Sequence, residues 1–305
     1  MNKMKESAQT VRSTGEKIFY IFTHIFMILL CATVIFAFLL LVGSSLQSQD
    51  EIRQIGYQMI PRKFSLEAYR SIFKTPQAIV ESYGITILTT VIGTVLGVLF
   101  TGGYAYAISR HEFAYRKGFA LINLFSMLFN GGMVATYLVY MNWYNLGNNM
   151  WVLIWPMLYS PWNITLMKSF FVSLPNSIIE AARIDGAGEL HIFFKFVVPM
   201  SKPIFATIAL FLALTYWNDF QSTLLYITDK SLYKLQYLLN KILADMEFIN
   251  SGMADQIGAN VDNMEIPTEN LRMAMCVVAA GPMMCIFPFF QKYFTKGISL
   301  GGVKE

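Results

Sequence analysis

The chain has 305 residues, 55% hydrophobic and only 14% charged, with a formal net charge of +4. A soluble domain carries about 25% charge, and crossing a bilayer takes roughly 20 mostly apolar residues; the apolar runs here reach that length, which excludes an ordinary soluble fold. No stripe of basic and aromatic residues points to nucleic acid, and the positive charge flanks the apolar runs.

The sequence predicts an all-α integral membrane protein with six spans, at 18–43, 83–108, 118–141, 151–171, 203–227 and 271–294. The first apolar run, Ile18 to Val42, is far longer than the roughly 7–15 residues of a signal peptide core, so it reads as a retained span. The tail before it, residues 1–17, carries Lys3, Lys5, Arg12 and Lys17 and is expected in the cytoplasm. The extracytoplasmic segment 44–82 holds a short helix near Phe64 to Arg70, capped by Ser65. In the second span Gly93, Gly97, Gly102 and Gly103 let helices approach closely, either within this chain or against a second membrane subunit. The third span carries Asn130-Gly131-Gly132, a bend or a close crossing. In the fourth, Pro156 and Pro161 free backbone carbonyls beside Trp162, Asn163 and Thr165. Such groups need protein or a water-lined cavity around them, so Asn130 and Asn163 are candidates for lining a path, with plain kinking as the alternative.

Between the fourth and fifth spans lies a polar segment, 173–200. Pro175 opens a short amphipathic helix over 176–185, in which Ala181 and Ala182 form a smooth patch. Gly186 permits a sharp turn, and a second helix follows from Gly188 to Val198, stopped by Pro199. Two short helices joined at a glycine make a stiff element rather than a loose connector. The fifth span carries Trp217, Asn218 and Asp219 in its outer half, about 20 Å from its start at 1.5 Å per residue. Polar groups at that depth usually face the interior of a helix bundle. An indole with amide and carboxylate neighbours suits a sugar; the alternative is an interfacial tryptophan beside a capped helix end. In the segment 228–270, Leu232, Leu235, Leu238, Leu239, Ile242 and Leu243 share one helical face, which suits a docking surface or a passive loop. Residues 295–305 form the C-terminal tail. Lysine and arginine are biased toward the two tails, the loop at 109–117 and the loop at 168–202, which puts all of these, with the 173–200 segment, in the cytoplasm. Cys31, Cys276 and Cys285 fall inside spans and the three histidines are scattered, so no metal site is expected.

One pattern is a family signature. Glu180, Ala181 and Ala182, then Gly186, then Phe196, Val198 and Pro199 match the spacing of the cytoplasmic loop of permease subunits of bacterial ABC importers, with Phe196 and Val198 where the family usually has Ile and Leu. Ala105 to Arg110, Trp217-Asn218 and Phe289 to Gly297 resemble the carbohydrate permeases of the maltose/multiple-sugar group, nearest the branch for oligosaccharides and polysaccharide fragments. The resemblance covers nearly the whole chain. It implies a type I, MetI-like permease core at 83–294 with a cytoplasmic coupling helix. It also implies pairing with a second permease, two cytoplasmic ATPase subunits and an extracytoplasmic solute-binding protein. Glu180, Ala181, Ala182, Asp185, Gly186 and Pro199 would grip the ATPase, and oligosaccharide would pass near Asn130, Asn163, Trp217, Asn218 and Asp219. The chain has no phosphate-binding G-x-x-x-x-G-K-[ST] loop, so ATP and magnesium would be used by the partner, with no cofactor and no catalytic residue here. The alternatives are an importer of a peptide or polyamine, or a membrane-embedded enzyme.

Overall fold

In lipid, backbone polar groups must be satisfied within the protein, which leaves helices as the solution for long apolar runs. A computed structural model describes residues 14–72, 76–250 and 269–301. The tail 1–13 with Lys3, Lys5 and Arg12, the part of the predicted loop at 251–268, and residues 302–305 lie outside the described residues. Helices dominate what is described, and no strand occurs there.

The first compact unit runs to Ser71 and takes in Thr268–Val277. It opens with α1, Thr14–Ser45, whose apolar side chains are exposed along most of its length until Gly43, Ser44 and Ser45 become buried. Gly43 marks a close backbone approach: a Cβ there would meet the Met59 carbonyl. Helix α2, Gln49–Ile55, is capped by Ser48. Buried Glu51 accepts from the amides of Arg62 (2.9 Å) and Lys63 (3.4 Å), and Gln47 accepts from that of Gln58 (3.0 Å). These bonds fold 46–66 into an ordered segment. Helix α3 follows at Glu67–Ile72, with the Ser65 hydroxyl accepting from the Glu67 amide.

The second unit holds the remaining helices. Its spine is α4, Pro76–Ser109, against which α7, Pro161–Val172, and α11, Lys202–Asn218, pack. The glycines of α4 make this possible. A Cβ on Gly93 would fall 2.4 Å from the Tyr216 ring, one on Gly97 2.9 Å from Leu212 and one on Gly102 3.0 Å from Phe205. The small face of the second predicted span is thus used within the chain. Gly93→Val is expected to force the α4–α11 crossing apart, since overpacking of this kind costs about 1–3 kcal/mol or more. A lower melting temperature and yield of the purified permease would register it, while Gly103→Ala, with no atom near its added carbon, should behave as wild type.

Three described helices are long and apolar enough to cross a membrane unbroken: Thr14–Ser45, Gln77–Ser109 and Glu269–Pro288. The third predicted span is sharply bent, by 118°, between α5, Arg116–Leu128, and α6, Gly132–Leu138, which runs on as a π turn to Trp143. Gly132 has φ +82°, and its amide is held by the Asn130 carboxamide at 2.9 Å. The fourth is not one continuous helix. Short 3-10 turns at Met150–Leu153 and Trp155–Met157 precede α7, which Ser160 caps and Pro161 opens. Buried Asn123 of α5 donates to Thr165 (3.0 Å) and to the Pro161 carbonyl (3.3 Å), fastening α5 to that start. The fifth breaks at Asp219 into α12, Gln221–Tyr226. The apolar stripe after it forms α13, Leu235–Asn250, while Leu232 sits in the preceding 3-10 turn. The final helix, α14, spans Glu269–Gly301 and so runs past the predicted end at 294.

Candidate functional site

The segment 173–200 folds as a short helix, a glycine turn and a second helix. Helix α8, Asn176–Ile184, buries Ile179 and Ala182 in the main core, beside Ile192 and Phe193. Its other face presents Glu180, Ala181 and Ile184, the last 87% exposed. Ala181 and Ala182 therefore do not form one patch: a helix turns successive residues by 100°, so one faces out and the other in. The helix ends in a Schellman motif. The Gly186 amide reaches the Arg183 carbonyl and the Ala187 amide reaches that of Ala182, both at 3.0 Å. Gly186 has φ +82° with no atom near a would-be Cβ, so the turn needs glycine for its backbone and not for space. Asp185 is exposed at the cap. With Ala182, Gly186, His191 and Phe196 it lines a concave surface of about 400 Å³.

The second helix begins as α9, Glu189–Ile192, widens into a π turn over Phe193–Val197 and closes as α10, Val198–Met200. The predicted stop at Pro199 falls within one residue of the observed one: helical backbone closes at Met200, and across a break at Ser201 the chain turns by 86° into α11. Proline has no amide proton and its ring would press on the carbonyl four residues back; the π turn changes that local register before Pro199, which stays exposed.

An ion-pair network locks this element to the end of α4. Arg183 reaches Glu112 at 2.8 Å and Glu189 at 2.6 Å, Arg110 reaches Glu112 at 3.5 Å, and the Tyr106 hydroxyl donates to Glu189 at 2.6 Å. A cavity of about 620 Å³ lies beside it, lined by Leu99, Tyr106, Arg110, Glu112, Glu189 and Phe193. The hydrogen bond from Arg183, followed by a backbone hydrogen bond, holds the Glu112 carboxyl down to about 2. Desolvation pushes Glu189 up, but bonds from Tyr106 and Arg183 outweigh it and leave it below the ordinary carboxylate range. Both carboxylates are depressed, so what they contribute is present above the unfolded value near 4.5 and is lost as pH falls toward about 2. The melting-temperature difference between wild type and Glu112→Gln should accordingly be the same at pH 7.5 and 5.5. A difference that grew or vanished in that interval would contradict this assignment. Side chains about half exposed, as Glu112 and Glu189 are, make the effect small; the network sets geometry more than stability.

At the opposite end of α4 the polar cluster of α11 is arranged quite differently. Trp217 is buried and its indole donates to the Ala279 carbonyl at 3.0 Å. Buried Tyr216 donates to the Ile154 carbonyl at 2.8 Å. Asp219 accepts from the Ser222 amide at 3.0 Å, starting α12, and pairs at 3.2 Å with Lys234, which has no exposed surface and also donates to the Tyr216 carbonyl. Asn218 is exposed, its amide turned back to the Leu214 carbonyl at 3.0 Å. Asn130 is exposed and Asn163 buried. Gln221 lies 3.5 Å from the Met133 sulfur, which places the start of α12 beside α6. Among the described residues, no hydrogen bond joins any two of Asn130, Asn163, Trp217, Asn218 and Asp219. Sequence reading missed Lys234, Asn123 and the Arg183 network; a lone lysine amid Leu232, Tyr233 and Leu235 was the one available signal.

Long apolar helices packed through glycines, some sharply broken, define a multi-pass membrane protein. The chain belongs to the family described as the binding-protein-dependent transport system inner membrane component, whose model matches residues 93–300. It is 37% identical over 275 residues to Protein LplC of Bacillus subtilis, covering 90% of each chain. It is 35% identical to the polygalacturonan/rhamnogalacturonan transport system permease protein YtcP of the same organism, covering 94% of this chain and 99% of the relative. Among solved structures, a chain of a bacterial ABC transporter involved in the import of the acidic polysaccharide alginate matches with a TM-score of 0.78 and 27% identity, over 93% of this chain and 99% of that one. The family is one of transport-system membrane components, so the chain is a transport subunit rather than an enzyme.

Proposed function

We propose that this chain is the permease subunit of an ATP-driven, binding-protein-dependent importer of oligosaccharides. It pairs with a second permease and engages two cytoplasmic ATPase subunits through Glu180 to Gly186. On this reading the six segments predicted from sequence cross the membrane, some as broken helices, with both termini and the 173–200 element in the cytoplasm and α13 outside. A solute-binding protein docks on the 228–270 segment and delivers the sugar. ATP and magnesium act in the ATPase subunits, and the permease itself holds no cofactor.

The observation that carries the reading is the α8–Gly186–α9 element. Its inner face is anchored by Ile179 and Ala182 and its flank by Arg183, while Glu180, Ala181 and Ile184 stay exposed. A rigid element with an unoccupied outer face transmits force only if another protein holds that face. The sugar assignment is supported by the named cargo of the relatives and by the uncharged, exposed Asn218 and Asn130. The test is cross-linking in membranes. Ala181→Cys and Ile184→Cys should each form an adduct with an ATPase subunit, identified by mass spectrometry, where the unsubstituted chain forms none. Adducts only with lipid or with the sister permease would sink the coupling role.

A further inference from the structure

Lys234 calls for a physical reason. A buried ammonium is expensive, and well-packed apolar residues often serve stability equally well. What the charge supplies is direction. The Tyr216 carbonyl belongs to the last turn of α11, where carbonyls lack helical partners and a cation is favoured. Asp219 leaves the helix at that point and takes the same ammonium at 3.2 Å. The next residue, Leu235, opens α13 and donates its amide to the Thr86 hydroxyl of α4 at 2.9 Å. The strand of chain leading to Lys234 is pinned at its other end as well. Asn148 accepts from the amides of Thr228 (2.6 Å) and Asp229 (3.0 Å) and donates to the Thr228 hydroxyl (2.8 Å). The connection between α12 and α13 therefore has little slack to absorb motion.

We infer that Lys234 is a positioning residue for transport: its buried ammonium ties the root of α13 to the end of α11, so that displacement of either is passed to the other. This rests on the importer reading, in which α13 meets the binding protein and the α11 end, with Asn218, borders the path. Docking outside would then be felt at the path, and the power stroke inside would be felt at the docking surface.

Hydrogen–deuterium exchange on the complex purified through this chain, with and without ATP plus vanadate, tests the tie. In wild type, trapping should change exchange in both 214–222 and 235–245. Lys234→Met alone leaves a buried, unpaired Asp219 and is expected to assemble poorly; Lys234→Met with Asp219→Asn removes both charges. In that double variant the response at 235–245 should fall at least threefold while that at 214–222 persists and the melting temperature stays within a few degrees. Asp219→Glu, which keeps the pair, should retain the joint response. Equal responses of both segments in the double variant overturn the inference, as does loss of both responses together with a lowered melting temperature, which is a merely structural role. No response at 214–222 in wild type would instead bring down the importer reading, and the inference with it.

Discussion

Gly186→Val is expected to leave the permease assembled and to reduce sugar uptake at least tenfold while ATP hydrolysis no longer drives it. The left-handed backbone at Gly186, φ +82°, costs an L-residue roughly 1–2 kcal/mol, and a β-branched one is a genuine outlier there. Nothing lies within 4 Å of the added carbon, so the damage is not a clash. It is the loss of the Schellman closure in which Ala187 and Gly186 satisfy the carbonyls of Ala182 and Arg183. Without it the exposed face of α8 takes a new angle to α9. The crossings of α4 with α7 and α11 do not involve this turn, so the spans should melt as in wild type. Gly186→Asn, whose side chain tolerates the left-handed region, should keep an intermediate uptake. Uptake in proteoliposomes and the melting temperature separate the cases: a valine variant that assembles and transports normally would remove the turn from the coupling machinery.

Why some of this was legible in the sequence follows from the range of the interactions. Helices, glycine turns and proline breaks are decided within a few residues, so α4, the Asn130–Gly132 bend, the Pro161 start and the Gly186 turn all left local marks. The close crossing at Gly93 left a weaker one: the glycine was visible, but that Tyr216 fills its place depends on a residue 123 positions away, 216 − 93. The Arg183 network spans 71 positions to Glu112, and Lys234 reaches back 15 to Asp219. Such pairs have no period and no spacing rule, so even where a lone lysine such as Lys234 stands out among apolar neighbours, the order of residues does not announce its partner. The same reasoning explains Ala181 and Ala182, where composition suggested a patch and helical rotation separated the two. At Pro199 the difference is one residue: the π turn over Phe193–Val197 lets helical backbone reach Met200.

Trp217 and Asn218 are adjacent in sequence and opposite in surroundings, and their alanine variants should differ sharply. Trp217 is 3% exposed, lies 6.4 Å from the Tyr83 ring and gives its indole proton to the Ala279 carbonyl. Its removal opens a cavity and frees a buried acceptor, and Trp→Ala at a buried site costs about 3–5 kcal/mol. Trp217→Ala is therefore expected to lower the melting temperature and the yield of the complex, with uptake falling in proportion to the protein that survives. Asn218 is exposed, and its one bond, to the carbonyl four residues back, is replaceable by water. Asn218→Ala should leave the melting temperature within a degree or two and still weaken transport if this amide meets the sugar hydroxyls. Uptake per folded complex decides between them. If Trp217→Ala lowers that ratio severalfold at unchanged stability, the indole itself touches the cargo. If Asn218→Ala leaves the ratio untouched, the sugar contacts of the path lie on other residues or on the sister permease.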